Sequence, residues 1–274
     1  MDKQIIEEKL RQFVNESVDN FIKEEDALSP QLVGMRIYDE PVVGIGKAND
    51  ELFTVFKQPD AVGEIFMDPE EWLPGAKSVI SYFLPFSEEV RKGNRLDMSW
   101  PSPEWLHGRL EGQTFLVKTS NFIKDMLVEE GHQGLIPIID SRFRSGGMTG
   151  LTAGQGEMGF TSNWSERHVA YVCGLGTFCL SKGLITKKGV AGRFGSVITD
   201  LELPEDNRNY EGIYDYCNNC GVCIKNCPAN AISLEEGKDH ERCFAFLQEV
   251  YAQIKPRYAC GKCQVKVPCE NRIP

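Results

Sequence analysis

No apolar run in this chain of 274 residues approaches the roughly 18–20 residues that a bilayer-spanning helix needs, so no membrane partner is expected. An excess of positive charge is missing too, since the formal net charge is −10. Tight non-specific binding of nucleic acid relies on Lys and Arg neutralising phosphates, and no nucleic-acid partner is expected. The opening Met1-Asp-Lys-Gln-Ile-Ile-Glu-Glu is too acidic and too helical for a signal or transit peptide. The cytoplasm is the location this implies. Histidine is scarce, with four residues, and His107, His132 and His240 have no spacing that suggests a metal site. Cysteine, by contrast, is plentiful, with ten residues.

Four of the ten form Cys217-Asn-Asn-Cys220-Gly-Val-Cys223-Ile-Lys-Asn-Cys227-Pro228, the bacterial ferredoxin run. In such a run three thiolates bind one cubane and the fourth turns to another. A second group must then follow, and Cys243, Cys260-Gly-Lys-Cys263 and Cys269 supply it. Zinc takes four ligands from two separated pairs, which does not suit four cysteines in one short run. A disulfide framework suits a small secreted domain, which this chain does not resemble. The expectation is two [4Fe–4S] clusters. The x2, x2 loop puts Cys217, Cys220 and Cys223 on one cluster and sends Cys227 to the other. Pseudo-symmetry places Cys260 and Cys263 with Cys227 and returns Cys269 to the first cluster. Cys243 then fills the open corner of the second. The weak point is the five-residue spacing before Cys269, which would let it fold back beside Cys260.

From Asp206 onward nine acids cancel nine bases, so the first 205 residues hold the whole negative excess. Asp2 can cap a first helix with apolar residues at Ile5, Ile6, Leu10, Phe13, Val14, Val18, Phe21 and Ile22, closed by Leu28-Ser29-Pro30. Strands are expected over 32–38, 42–45, 79–84 and 195–201. Ser102 at N-cap and Pro103 at N1 start another helix, which Gly131 closes. Trp100 and Trp105 read as core residues, with a cofactor platform as the alternative. The stretch 141–159 is crowded with glycines, and Gly154-Gln-Gly156-Glu-Met-Gly159 matches GxGxxG. No strand precedes it, no helix opens at its third glycine and no acid follows at the required distance, so it reads as a loop or lid instead. Asn163 and Glu166 resemble a capping box for a short helix over 164–173, and Gly174 and Gly176 end it in a tight turn. Cys173 and Cys179 read as small buried hydrophobes, with cofactor contact or redox pairing as the alternative. His168 is a structural histidine or a partner of cobalt or substrate. The polar 203–209 segment marks a boundary between domains at 1–205 and 206–274.

Ser162-Asn-Trp-Ser-Glu-Arg-His168, Gly174-Leu-Gly176, Gly192-Arg-Phe-Gly-Ser-Val-Ile-Thr-Asp200 and the ferredoxin run together resemble epoxyqueuosine reductases and their short relatives. Those enzymes are cobalamin-dependent and distantly similar to reductive dehalogenases. The resemblance covers roughly residue 79 to the end. It implies an α+β protein: a nitroreductase-like α/β N-terminal domain holding a corrinoid, then a small ferredoxin-like two-cluster domain that passes electrons to cobalt. Asn163, Trp164, Arg167, Gly174 and Gly176 are the cofactor-binding residues it implies. Three features depart from the family. Residues 160–165 contain no acid where the presumed proton donor should lie. The helical-repeat extension that grips tRNA has no counterpart here. The family's C-x2-C-x3-C-P is lengthened to Cys263-Gln-Val-Lys-Val-Pro-Cys269. The expected activity is therefore an epoxyqueuosine reductase-like oxidoreductase that does not act on epoxyqueuosine itself. Its electrons would come from a donor protein of ferredoxin or flavodoxin type. A flavin (FMN) in place of cobalamin, and an electron carrier that reduces a corrinoid protein, are the rival expectations.

Overall fold

The structure, a computed structural model, describes residues 1–146 and 159–274. Gly147, Gly150, Gly154 and Gly156, and with them most of the expected lid, lie outside the described residues. In chain order the first half carries α1 (Lys3–Glu16), β1 (Val42–Lys47), α2 (Glu51–Val55), α3 (Pro69–Trp72), β2 (Ser78–Pro85), α4 (Glu88–Leu96) and α5 (Pro103–Glu129). The second half carries β3 (Gly134–Leu135), α6 (Glu166–Val172), β4 (Gly176–Phe178), β5 (Leu184–Thr186) and β6 (Gly192–Thr199). The cysteine-rich end adds α7 (Val222–Lys225), β7 (Ile232–Ser233), β8 (Gly237–Lys238) and α8 (His240–Gln253).

The main sheet runs β1-β2-β6-β3 and is antiparallel throughout. Pleating sends Ile80, Tyr82 and Leu84 of β2 to one face, where Ile6, Leu10 and Val14 of α1 and Phe115, Leu116 and Ile123 of α5 cover them. Val79 and Phe83 face the other way, against Val169 and Val172 of α6, Phe53, Trp72 and Trp164. With both faces covered, all of β2 is buried. Double coverage explains why residues 79–84 read as a nearly continuous apolar run and not as the alternation usual in antiparallel strands.

Ser102 caps α5 as expected, accepting from the Trp105 amide at 3.3 Å, with Pro103 in the first turn. Gly131 follows with φ of 83°. Trp105 is a core residue. The first helix is shorter than its apolar stripe suggests. Ser17 turns extended at φ −67°, ψ 123°, and a 3-10 turn follows over Val18–Asn20. The reason is Asn20, fully buried, whose side chain donates to the carbonyls of Val14 and Tyr38 and accepts from the Tyr38 amide. That network redirects the chain and leaves Val18 exposed. The expected strand at 32–38 does not form either. It is reduced to the isolated bridges Phe21↔Arg36 and Tyr38↔Phe86.

The residues after 205 are seated on the body, not strung from it. The Asp206 carboxylate accepts from Lys3 Nζ at 2.7 Å and from the Ile45 amide at 2.8 Å. At the far end Lys262, fully buried, donates to the Asn94 carbonyl at 2.8 Å, and Asn94 donates back to the Cys260 carbonyl at 2.9 Å. Arg95 pairs with both oxygens of Glu270, and the Val190 amide donates to the Cys269 carbonyl at 2.9 Å.

Candidate metal centres and the adjoining cleft

Two of the three C-x2-C loops use one backbone device. In Cys220-Gly-Val-Cys223 and in Cys260-Gly-Lys-Cys263 the glycine is left-handed, at φ 70° for Gly221 and 69° for Gly261. Each glycine then opens a single helical turn, α7 in the first loop and Lys262–Gln264 in the second. A left-handed residue costs glycine little, and the reversal brings the flanking thiols to one side. Cys243 comes from the first turn of α8, which Asp239 caps by accepting from the Arg242 amide.

The eight cysteines surround two cavities. Cys227, Cys243, Cys260 and Cys263 line the inner one, which reaches in to Phe86 and Trp105. Cys217, Cys220, Cys223 and Cys269 line the outer one, with Cys263 on the shared wall. Cys269 and Cys260 fall in different cavities. Burial, reinforced by neighbouring thiols, pushes Cys223 and Cys260 up to about 12 and Cys263 up to about 11, and it raises Cys269 as well. Thiols crowded in this way hold their protons until a cation replaces them, and cluster thiolates do so with iron. The Ala231 amide also points at Cys227 Sγ, at 3.3 Å. Thiolate sulfur is the donor that a [4Fe–4S] cluster takes from a chain.

Of the two other cysteines, Cys173 is fully buried beneath β1, its sulfur close to Gly46. Cys179 is buried too but lines the outer cavity, with Sγ 3.3 Å from Ser181 Oγ. Neither forms a disulfide.

Cations gather around the inner cavity. Arg109, Arg193 and Lys238 line it, and among the described residues no carboxylate does. Arg109 stacks 4.6 Å over the Tyr258 ring and donates to its hydroxyl. Burial, aided by Arg193, lowers Arg109 to about 10. Arg193 donates to Gln113, while its Nε is buried without a hydrogen-bond partner.

The residues expected to bind a cofactor are not gathered at one place. Arg167 is exposed and lines neither cavity, and the Arg193 guanidinium and the Cys179 and Cys263 thiols are the titratable groups near it. Trp164 is buried, stacks on Phe66 and donates its indole N–H to Ser196 Oγ at 3.0 Å. Asn163 does not form the expected capping box. Its side chain accepts from the Arg144 amide at 2.8 Å and donates to the Arg142 carbonyl at 2.9 Å. α6 starts later, after Ser165, with no side-chain cap. Gly174 lies against Asp206 and Asn207, and Gly176 against Ile185 of its own sheet. His168 is pinned by Ser165 at 2.7 Å and by the rings of Phe56 and Phe178. Burial and Arg167 lower it to about 4, so it is neutral. Two groups that the sequence reading passed over are Arg109, mid-helix with no signal of its own, and Arg193, inside the Gly192–Asp200 segment.

Residues 210–233 match the 4Fe-4S binding domain family. Over 224 residues the chain is 30% identical to the epoxyqueuosine reductase of Vibrio cholerae, covering 75% of this chain and 53% of that protein. It is 41% identical over 69 residues to a tetrachloroethene reductive dehalogenase of Desulfitobacterium hafniense, covering 25% of this chain and 12% of that one. The fold matches an epoxyqueuosine reductase from Streptococcus thermophilus with a TM-score of 0.52 and 16% identity, over 98% of this chain and 66% of that one. A catabolic reductive dehalogenase matches with a TM-score of 0.55 and 16% identity, over 85% of this chain and 30% of that one. Fold and cysteine centres together define an iron–sulfur redox protein on a mixed α and β scaffold. The chain belongs to an epoxyqueuosine reductase-like family. It spans about half the length of the Vibrio cholerae relative, 53%. Among the described residues no helix is long and apolar enough to cross a membrane.

Proposed function

We propose that this protein is an oxidoreductase that relays single electrons through two [4Fe–4S] clusters, one in each cysteine-lined cavity. The gathering of the eight cysteines around two adjoining cavities, four on the inner and five on the outer with Cys263 shared, carries the reading. Bound clusters would supply one-electron chemistry. The chain's part is to hold them: Cys217, Cys220, Cys223 and Cys269 for the outer, Cys227, Cys243, Cys260 and Cys263 for the inner. Exposure of Cys220 leaves the outer site open to a donor protein of ferredoxin or flavodoxin type.

For the acceptor we infer a corrinoid in a nitroreductase-like N-terminal body, on the strength of the likeness to epoxyqueuosine reductases. Arg167, exposed and near Cys263, fits as one polar contact. Asn163, Trp164, Gly174 and Gly176 are engaged with the chain itself and offer a corrinoid no free polar group. That engagement favours a second reading, an electron carrier that reduces a corrinoid or another centre on a partner. Equilibrium dialysis of anaerobic, cluster-loaded protein against cobalamin and FMN separates the readings. Retained cobalamin is the expected result, retained FMN would make it a flavin-dependent reductase, and retention of neither would leave the carrier. No turnover of epoxyqueuosine in tRNA is expected, because residues 160–165 lack an acid. A rate comparable to that of a full-length epoxyqueuosine reductase would overturn that expectation.

A further inference from the structure

The two cavities differ sharply in charge. Arg109, Arg193 and Lys238 border the inner one, and among the described residues no Asp or Glu joins them. Among the described residues no Lys or Arg lines the outer one, whose polar lining is Ser181, Asn218 and Asn219, although Arg167 stands near its Cys179 and Cys263. The inner cations also lack internal compensation. Arg109 has a tyrosine for its partner and Arg193 a glutamine, and the Arg193 Nε has no partner. Like charges placed together out of water oppose each other, which suits a site whose occupant is an anion. A tetrathiolate cluster is such an anion, and it gains one further negative charge on reduction. Cations at its wall therefore stabilise the reduced form more than the oxidised form.

We propose that Arg109, Arg193 and Lys238 raise the reduction potential of the inner cluster above that of the outer, making the inner site the electron sink of the pair. The inference rests on the two-cluster reading. The outer site has a competing advantage, since water around Cys220 also favours a more negative cluster. Against it stand three cations at the inner wall, whose Coulomb term is roughly four-fold larger beside protein than in bulk water. Lys262, although it lies between two inner ligands, turns its ammonium away to Asn94. The step is a bare electron transfer: the outer cluster loses one electron, the inner gains it, and no bond or proton moves. The electron comes from a low-potential one-electron donor, dithionite in the test.

The test is an anaerobic dithionite titration of the full chain, loaded with clusters and followed by electron paramagnetic resonance. Two couples are expected at eight irons per chain. Cys243→Ser, which changes an inner ligand only, should alter the more positive couple and so identify it. Lys238→Gln, at a partly exposed position, and Arg193→Gln should each shift that same couple downward and leave the other in place. Four irons per chain would overturn the two-cluster reading and the inference with it. Eight irons with the Cys243→Ser change on the more negative couple, or with neither charge variant shifting the inner couple, would overturn the inference alone.

Discussion

Glu166 is the most costly charge in the body. Its carboxyl oxygens are buried and make no well-formed hydrogen bond, although Ser196 and Trp164 stand close enough to offset part of the burial cost. Burial raises it from 4.5 to about 8. Between those two values the folded chain keeps a proton that the unfolded chain has released, so stability falls as pH rises through the window and stays low above it. At about 1.4 kcal/mol per pH unit, the loss amounts to at most a few kcal/mol. Glu166→Gln should remove it. Anaerobic thermal melts from pH 5 to 9 should show the variant matching the parent at the acid end and melting higher at the alkaline end. Parallel declines in both proteins would assign the pH dependence to another group. The sequence shows an acid in Ser-Glu-Arg-His but not its burial, which depends on β6 passing beneath α6. Arg109 is hidden for the same reason: a mid-helix arginine reads as a solvated residue until the cysteine lobe covers it.

Elements with local signals are the ones that sequence reading recovers. α5 announces itself through Ser102, Pro103 and a long apolar stripe, and β2 through an unbroken apolar run. The end of α1 and the fate of residues 32–38 depend on Asn20 reaching Tyr38, a contact across the fold that no local pattern records. The pairing of cysteine loops is partly local, because each glycine reversal is encoded by its own C-G-x-C. Where the loops dock is not. A Cβ on Gly261 would lie 2.0 Å from the Trp105 ring, and its φ is 69°. Gly34, at φ 78°, faces open space. Gly261→Ala should therefore displace the inner ligand loop and drop bound iron toward half of the parent's content. Gly34→Ala should keep its iron and lose only about 1 kcal/mol to backbone strain. Full iron in Gly261→Ala would show that the loop can move without losing its ligands.

On the scale of the whole molecule, the cysteine lobe relies on its metal and its seat more than on a core of its own. Its regular structure is short apart from α8, and its contacts with the body run through Asp206, Lys262 and Glu270. Removing the clusters with oxidant and chelator should expose amides in 217–270 to hydrogen exchange while β2 and β6 stay protected. Equal loss of protection in the sheet would mean that body and lobe unfold as one unit. The order of the strands has a consequence for how the chain is made. β2 sits between β1 and β6, so the sheet cannot close until residue 199 has left the ribosome. Domains generally fold in the order of synthesis. The sheet is thus complete before Cys217 emerges, and the cysteine loops meet a scaffold whose strands are already paired.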